Sequence, residues 1–191
     1  MIDYPGNVIP TYRFQYCPMC REPLKQEALY ADGISRLHCS ECGWIQLVTN
    51  CICVAVVVHY GEAVVAIHPP DGEGVGFPAG IVEYGEDPSE SAVREVREET
   101  GLVVEIVRDL GWSFVQNNQF PGPTLYLLFE AEVVGGELRE GDEGPVQVYT
   151  LADLPEISKK RHGSYTALQR YLEQITKESC SEVRASDLPL L

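Results

Sequence analysis

Gly80-Ile-Val-Glu-Tyr-Gly-Glu-Asp-Pro-Ser-Glu-Ser-Ala-Val-Arg-Glu-Val-Arg-Glu-Glu-Thr-Gly-Leu102 holds a helix with start and stop signals of its own. Asp87 is a suitable cap, Pro88 suits the first helical position, and Glu90 can reach back as in a capping box. Gly101 is a suitable left-handed stop, so the helix is predicted to end near Thr100. Along it, Glu95, Glu98 and Glu99 stand at i, i+3 and i+4, which puts three carboxylates on one face with Cβ atoms roughly 5 to 6 Å apart and no cation among them. At an effective dielectric near 20, two such charges repel by about 3 kcal/mol, and a divalent cation relieves that repulsion. Hard oxygen donors in this number suit Mg²⁺ or Mn²⁺. The competing reading is a solvated charged face, because exposed like-charge pairs on a helix cost only about 0.2 to 0.5 kcal/mol each.

Outward from the helix, residues 51–60 and 63–67 are β-branched runs split by a turn at Gly61, the pattern of a hairpin. Residues 69–80 read as loop, and 103–107, 125–134 and 146–150 as strands. Tyr165, Leu168, Leu172 and Ile175 recur at helical spacing, predicting an amphipathic helix over 164–176. Residues 177–191 read as a tail, and Tyr12, Phe14 and Tyr16 belong to an extended lead-in. With 191 residues, the chain has room for one full domain and a small satellite.

The satellite is marked by cysteines. Cys17-Pro-Met-Cys20 and Cys39-Ser-Glu-Cys42 are separated by 18 residues, a spacing that brings four thiolates to one tetrahedral zinc. An Asp-Gly turn signal at Asp32-Gly33 predicts a hairpin between them. Residues 12–49 therefore read as a zinc ribbon and 50–176 as the main domain. Four thiolates leave no open coordination position, so the expected Zn²⁺ is structural. His38, beside Cys39, is superfluous for that site and is expected to pack or hydrogen-bond. Cys51 and Cys53 are expected to be core thiols and Cys180 an exposed one.

Gly80, Glu86, Arg94, Glu95, Val96, Glu98, Glu99, Gly101 and Leu102 match every specified position of the Nudix box, G-x5-E-x7-R-E-U-x-E-E-x-G-U with U aliphatic. At average residue usage, a chance match is on the order of one in a billion per starting point. The chain thus resembles the Nudix hydrolases. That resemblance implies an α/β fold, a mixed sheet sandwiched between helices, and divalent-metal-dependent hydrolysis of a nucleoside diphosphate linked to another moiety. Carried over by position, it makes Glu95 and Glu99 metal ligands, Glu98 a ligand or the group that orients the attacking water, and the Gly80 carbonyl a further ligand. Arg94 lies between Glu90 and Glu98 at i−4 and i+4, so it is expected to hold both and to act in orientation, with Glu86 helping from the loop. Because the catalytic base in this family can come from a later loop, Glu143 is the candidate there.

A zinc ribbon before a Nudix domain also resembles NADH pyrophosphatases and some ADP-ribose or FAD pyrophosphatases. The first group carries an S-Q-P-W-P-F-P-x-S array after the box, whereas residues 111–123 read Gly-Trp-Ser-Phe-Val-Gln-Asn-Asn-Gln-Phe-Pro-Gly-Pro. The proline cue of the ADP-ribose group is met only approximately, by Pro121. Trp112, Phe114 and Phe120 are candidates to stack on a base, although aromatic residues near strands are more often core.

Lys plus Arg is 14 against 29 Asp plus Glu, a formal net charge of −15, which disfavours nucleic acid and anionic membranes as partners. No secretory pattern opens the chain and its longest apolar run is too short to cross a bilayer, so a cytoplasmic location is expected. The expected activity is a Mg²⁺-dependent pyrophosphohydrolase acting on ADP-ribose, FAD or NADH-like dinucleotides, with a homodimer left open. Two rivals are kept: a nucleic-acid- or protein-binding regulator using the Nudix core as a nucleotide sensor, and a prenyl diphosphate isomerase.

Overall fold

In a computed structural model, which describes residues 14–47, 49–116 and 122–186, with side chains through 177, the order is β1 (Lys25–Ala28), β2 (Ser35–His38), β3 (Cys51–Tyr60), β4 (Ala63–Ile67), β5 (Ala79–Ile81), α1 (Pro88–Thr100), β6 (Leu102–Val115), β7 (Thr124–Gly136), β8 (Val146–Tyr149) and α2 (His162–Ser186). The described residues fall into two compact units, 14–47 and 49–51 with 116 and 122–124, and 52–115 with 125–186.

The larger unit is built on β3. Its apolar run has no polar face because both faces are covered. Val54, Val56 and Val58 join Ala92 and Val96 of α1 in one core, while Ala55 and Val57 join Ala167 and Tyr171 of α2 in the other. Residues 54–58 are all fully buried, the four valines among them each contributing on the order of 1.5 kcal/mol or more. The sheet order is β6-β7-β3-β4-β8, with β5 also on β3. This is the expected α/β/α sandwich.

The predicted hairpin is formed, with His59 opposite Val64 and Tyr60 opposite Ala63. One departure lies in the segment 69–80, read as loop: its last residues form β5, antiparallel to β3 with Val54 opposite Gly80. Another is α2, which continues from the predicted 164–176 to Ser186, so most of the segment read as a tail is helical backbone. A third concerns Trp112 and Phe114. They are 63% and 43% exposed rather than core. Leu102, Val104 and Leu110 point inward, but Gly111 at φ 91° shifts the alternation, so that Ser113 and Val115 become the half-buried positions. Phe120, Pro121, Tyr12 and the side chain of Cys180 lie outside the described residues.

In the smaller unit β1 and β2 pair antiparallel, Lys25 opposite His38 and Ala28 opposite Ser35. Asp32 accepts from the Ile34 N–H at 2.9 Å in the turn between them. His38 Nε2 meets Glu27 Oε2 across the strands at 3.2 Å, the hydrogen-bonding role expected of it. Among the described residues, no helix is long and apolar enough to cross a membrane.

Candidate active site and cysteine cluster

α1 begins where its sequence says. Asp87, extended at φ −73° and ψ 137°, accepts the Ser89 N–H at 2.8 Å. Gly101 ends the helix at φ 75°, its N–H donating to the Arg97 carbonyl at 2.9 Å. With both ends fixed, the position of each glutamate around the helix is fixed too.

The three glutamates are not equivalent. Glu99 is 8% exposed and accepts the Ala79 N–H of β5 at 3.1 Å. Burial pushes its carboxyl up to about 8; the Ala79 N–H opposes this, and the charges of Glu95, Glu143 and Glu98 reinforce it. Glu95 lies against Gly80, its carboxylate filling the space that a side chain there would occupy, so a larger residue would displace that carboxylate. Burial raises Glu95 as well, against the pull of Arg94. Glu98 has 61% of its side chain exposed.

Arg94 corrects the sequence reading. The expected hold on Glu98 is formed, but Glu86 takes the place expected of Glu90 and the carboxylate face is not free of cations. Its Nε and one terminal nitrogen form a fork on Glu86, at 2.8 and 3.0 Å, and the other terminal nitrogen contacts Glu95 at 2.7 Å and Glu98 at 3.1 Å. It also donates to the Ile81 carbonyl at 3.0 Å. The cause is tertiary: the loop after β5 brings Glu86 alongside α1, and a bidentate carboxylate outcompetes an exposed neighbour one turn away. The same fork holds the Glu86 carboxyl down at about 2, burial opposing.

Glu143 is brought to this site. The close approach of Gly141 to the Glu99 backbone, where an added Cβ would lie 2.7 Å from Glu99 Cα, holds the loop that carries it. Glu99 and Glu143 line one cleft of about 250 Å³, together with Phe77, Tyr126, Lys160 and Arg161. Nothing in the sequence reading singled out the last three. The available signal was the basic run Lys159-Lys160-Arg161 in a chain where acidic residues outnumber basic ones 29 to 14. A wider hollow of about 630 Å³ lies on another flank of α1, lined by Glu90, Arg94, Arg97, Glu98 and Arg139. Of the three box carboxylates, Glu98 faces this hollow, Glu99 faces the smaller cleft, and Glu95 lines neither.

Glu95, Glu98, Glu99 and the Gly80 carbonyl offer only oxygen donors, the chemistry a hard divalent cation takes, but among the described residues the cysteines are the one group of three or more whose ligand atoms converge within 4.8 Å. Burial is the main cause of the raised Glu99 carboxyl, and the charges of Glu95, Glu143 and Glu98 add to it in the direction that a cation would offset. The cysteines suit a different metal. Cys17, Cys20, Cys39 and Cys42 hold their sulfurs within 4.8 Å of one another, with Cys17–Cys42 at 3.5 Å and Cys20–Cys39 at 3.4 Å. A tetrahedral zinc with Zn–S bonds of about 2.3 Å sets its sulfurs about 3.8 Å apart, so the cluster is near the required size. The Met19 N–H points at Cys17 Sγ at 3.4 Å, a contact that favours thiolate.

A family model describing the NUDIX domain matches residues 50–171. An ADP-ribose pyrophosphatase of Methanocaldococcus jannaschii is 35% identical over 83 residues, 43% of this chain and 49% of that protein. The NAD-capped RNA hydrolase NudC of Pseudomonas aeruginosa is 34% identical over 162 residues, 83% of this chain and 55% of that one. The chain thus spans about half the length of these curated relatives. Among solved structures, a NUDIX hydrolase from Nitrosomonas europaea superposes with a TM-score of 0.62 at 21% identity, over 74% of this chain and 80% of that one, a likeness of fold. With its complete box, its sandwich fold and a matching family model over most of its length, the chain belongs to the NUDIX domain family.

Proposed function

We propose that this chain is a divalent-metal-dependent pyrophosphohydrolase that cleaves a nucleoside diphosphate joined to another moiety, giving a nucleoside monophosphate and a second phosphorylated product. The observation that carries this reading is Glu99, a buried carboxyl crowded by Glu95, Glu98 and Glu143 at the wall of a cleft. Glu95, Glu98, Glu99 and the Gly80 carbonyl would hold Mg²⁺ or Mn²⁺. When bound, such a cation neutralises diphosphate charge and makes water a better nucleophile. The chain's own work is then placement. Arg94, joined to Glu86, Glu95 and Glu98, fixes the rotamers of two of the proposed ligands. A carboxylate oxygen of Glu143, or of Glu98, takes the proton of the attacking water as its oxygen bonds to phosphorus and the bridging P–O bond breaks.

The substrates we favour are ADP-ribose and NAD-type dinucleotides, a choice supported by the names of the relatives, with FAD kept in the panel. A second reading is an RNA bearing such a dinucleotide at its 5′ end, favoured by the relative that aligns over 83% of the chain. We further propose that the cysteine cluster holds a structural Zn²⁺, and that the chain works in the cytoplasm, where its thiols stay reduced. A magnesium-supplemented screen of ADP-ribose, NADH, FAD, nucleoside triphosphates and NAD-capped RNA, with products weighed by mass spectrometry, tests the activity. AMP with a second monophosphate is the expected outcome for a dinucleotide. Absence of hydrolysis across the panel, or release of inorganic phosphate alone, would overturn the reading.

A further inference from the structure

In a chain of net charge −15, the cleft of Glu99 and Glu143 also holds two adjacent cations, Lys160 and Arg161. Both are engaged by one acidic turn between β4 and β5. Asp71 takes Arg161 through a single terminal nitrogen placed 2.7 Å from each carboxylate oxygen, and Glu73 takes Lys160 at 2.7 Å. Asp71 also accepts the Glu73 N–H at 3.0 Å, so the two carboxylates are held as a pair. The base of the turn is tied to the segment before α2 by the Val75 N–H on the Glu156 carbonyl at 3.2 Å.

Asp71 satisfies little of what Arg161 offers. A guanidinium has five donors in a fork that matches carboxylate or phosphate through two parallel bonds, and Asp71 uses one nitrogen. Arg161 Nε is buried and has no hydrogen-bond partner among the described residues. The arginine stem lies against Gly76, where an added Cβ would come within 3.3 Å of its Cδ, so the head is held at the cleft by its packing. The Lys160–Glu73 pair has side chains 77% and 45% exposed, and ion pairs in water are readily exchanged.

Resting on the pyrophosphohydrolase reading, we propose that Lys160 and Arg161 form an anion subsite that takes a phosphate group of the diphosphate-linked substrate, with Asp71 and Glu73 occupying it as stand-ins until substrate arrives. The cleft is then divided by charge. Glu99 and Glu143 supply its acidic wall, and Lys160 and Arg161 supply donors to substrate phosphate that the acidic residues cannot. Both cations are positioning and specificity residues; the bond-breaking chemistry stays with the carboxylates.

The test uses the full chain as wild type, Arg161→Gln, Arg161→Lys, Lys160→Gln and Asp71→Asn. It measures ADP-ribose hydrolysis with magnesium and, separately, binding of ADP without divalent metal by calorimetry. Loss of a charged hydrogen bond predicts that R161Q raises KM roughly tenfold with kcat little changed and weakens ADP binding to match. K160Q should do the same to a smaller degree, and R161K should recover part of the loss. D71N separates the proposal from a purely structural ion pair, because removing a stand-in should lower KM and tighten ADP binding. The proposal is overturned if R161Q leaves KM and ADP binding unchanged, or if D71N weakens binding as R161Q does. Should R161Q fail to fold, D71N decides alone by the same sign. A wild type that binds ADP through Arg161 yet hydrolyses nothing would sink the pyrophosphohydrolase reading and spare the subsite. Normal hydrolysis unaffected by R161Q would do the reverse.

Discussion

Glu98 and Glu99 are neighbours in sequence, yet one is mostly in water and the other is 8% exposed. The consequence appears in their response to pH. The Glu99 carboxyl stands near 8 in the folded protein against an ordinary 4.5, so the folded state prefers it protonated. Its ionisation opposes folding: the penalty is absent below about 4.5, grows as pH rises, and is complete above about 8. With zinc retained and no magnesium or manganese added, the melting temperature of the wild type is therefore expected to fall between pH 5 and 8 relative to that of Glu99→Gln, and E99Q should be the more stable of the two at pH 8. With magnesium, E99Q should nevertheless lose turnover by on the order of 100-fold or more, as should Glu98→Gln. E98Q should show no comparable stabilisation, since its carboxylate is already solvated. Near-normal hydrolysis by both variants, with parallel melting curves across the pH range, would remove both residues from the site.

At the scale of the element, α1 was legible because every signal that fixes it is local. Asp87, Pro88 and Gly101 act within a turn of their own positions, and the box spacing follows from the helix between them. Asp87→Ala should cost about 1 kcal/mol, a drop of a few degrees in melting temperature, by freeing the Ser89 N–H. An unchanged melt would mean that the cap is replaced by another acceptor. What the sequence left hidden depends on contacts between distant segments. The partner of Arg94 is chosen by a loop that folds back to it, and β5 exists only because β3 offers it an edge. A left-handed glycine within β6, which runs past the predicted 103–107, shifts its alternation and leaves Trp112 and Phe114 exposed. Lys160 and Arg161 become part of the cleft through the packing that joins the start of α2 to Phe77, where the Phe77 N–H donates to Ser164 Oγ at 3.0 Å.

For the molecule as a whole, the two units draw on different sources of stability. Ile52 onward is held by two apolar cores. By contrast, β1 is exposed along its whole length, and the buried residues among 14–47 are Cys17 and Cys39. With so little apolar burial, this module would depend on the proposed zinc to fold. Chelation of zinc, or Cys17→Ser, should therefore abolish hydrogen-exchange protection of the β1–β2 amides while those of β3 and β4 keep theirs. Equal protection with and without metal would make the cysteine cluster incidental to folding. The cluster and the carboxylates also call for different ions: soft thiolates for zinc, hard oxygens for magnesium or manganese.

That the carboxylates of α1 serve to hold divalent cations against a diphosphate is decided by one calorimetric titration of Mn²⁺ into wild type and E99Q at pH 7.5, with zinc retained in both. Saturable binding to the wild type that is lost or greatly weakened in E99Q is the expected result. Identical isotherms for the two proteins would contradict it and leave Glu95, Glu98 and Glu99 as an acidic face without a metal.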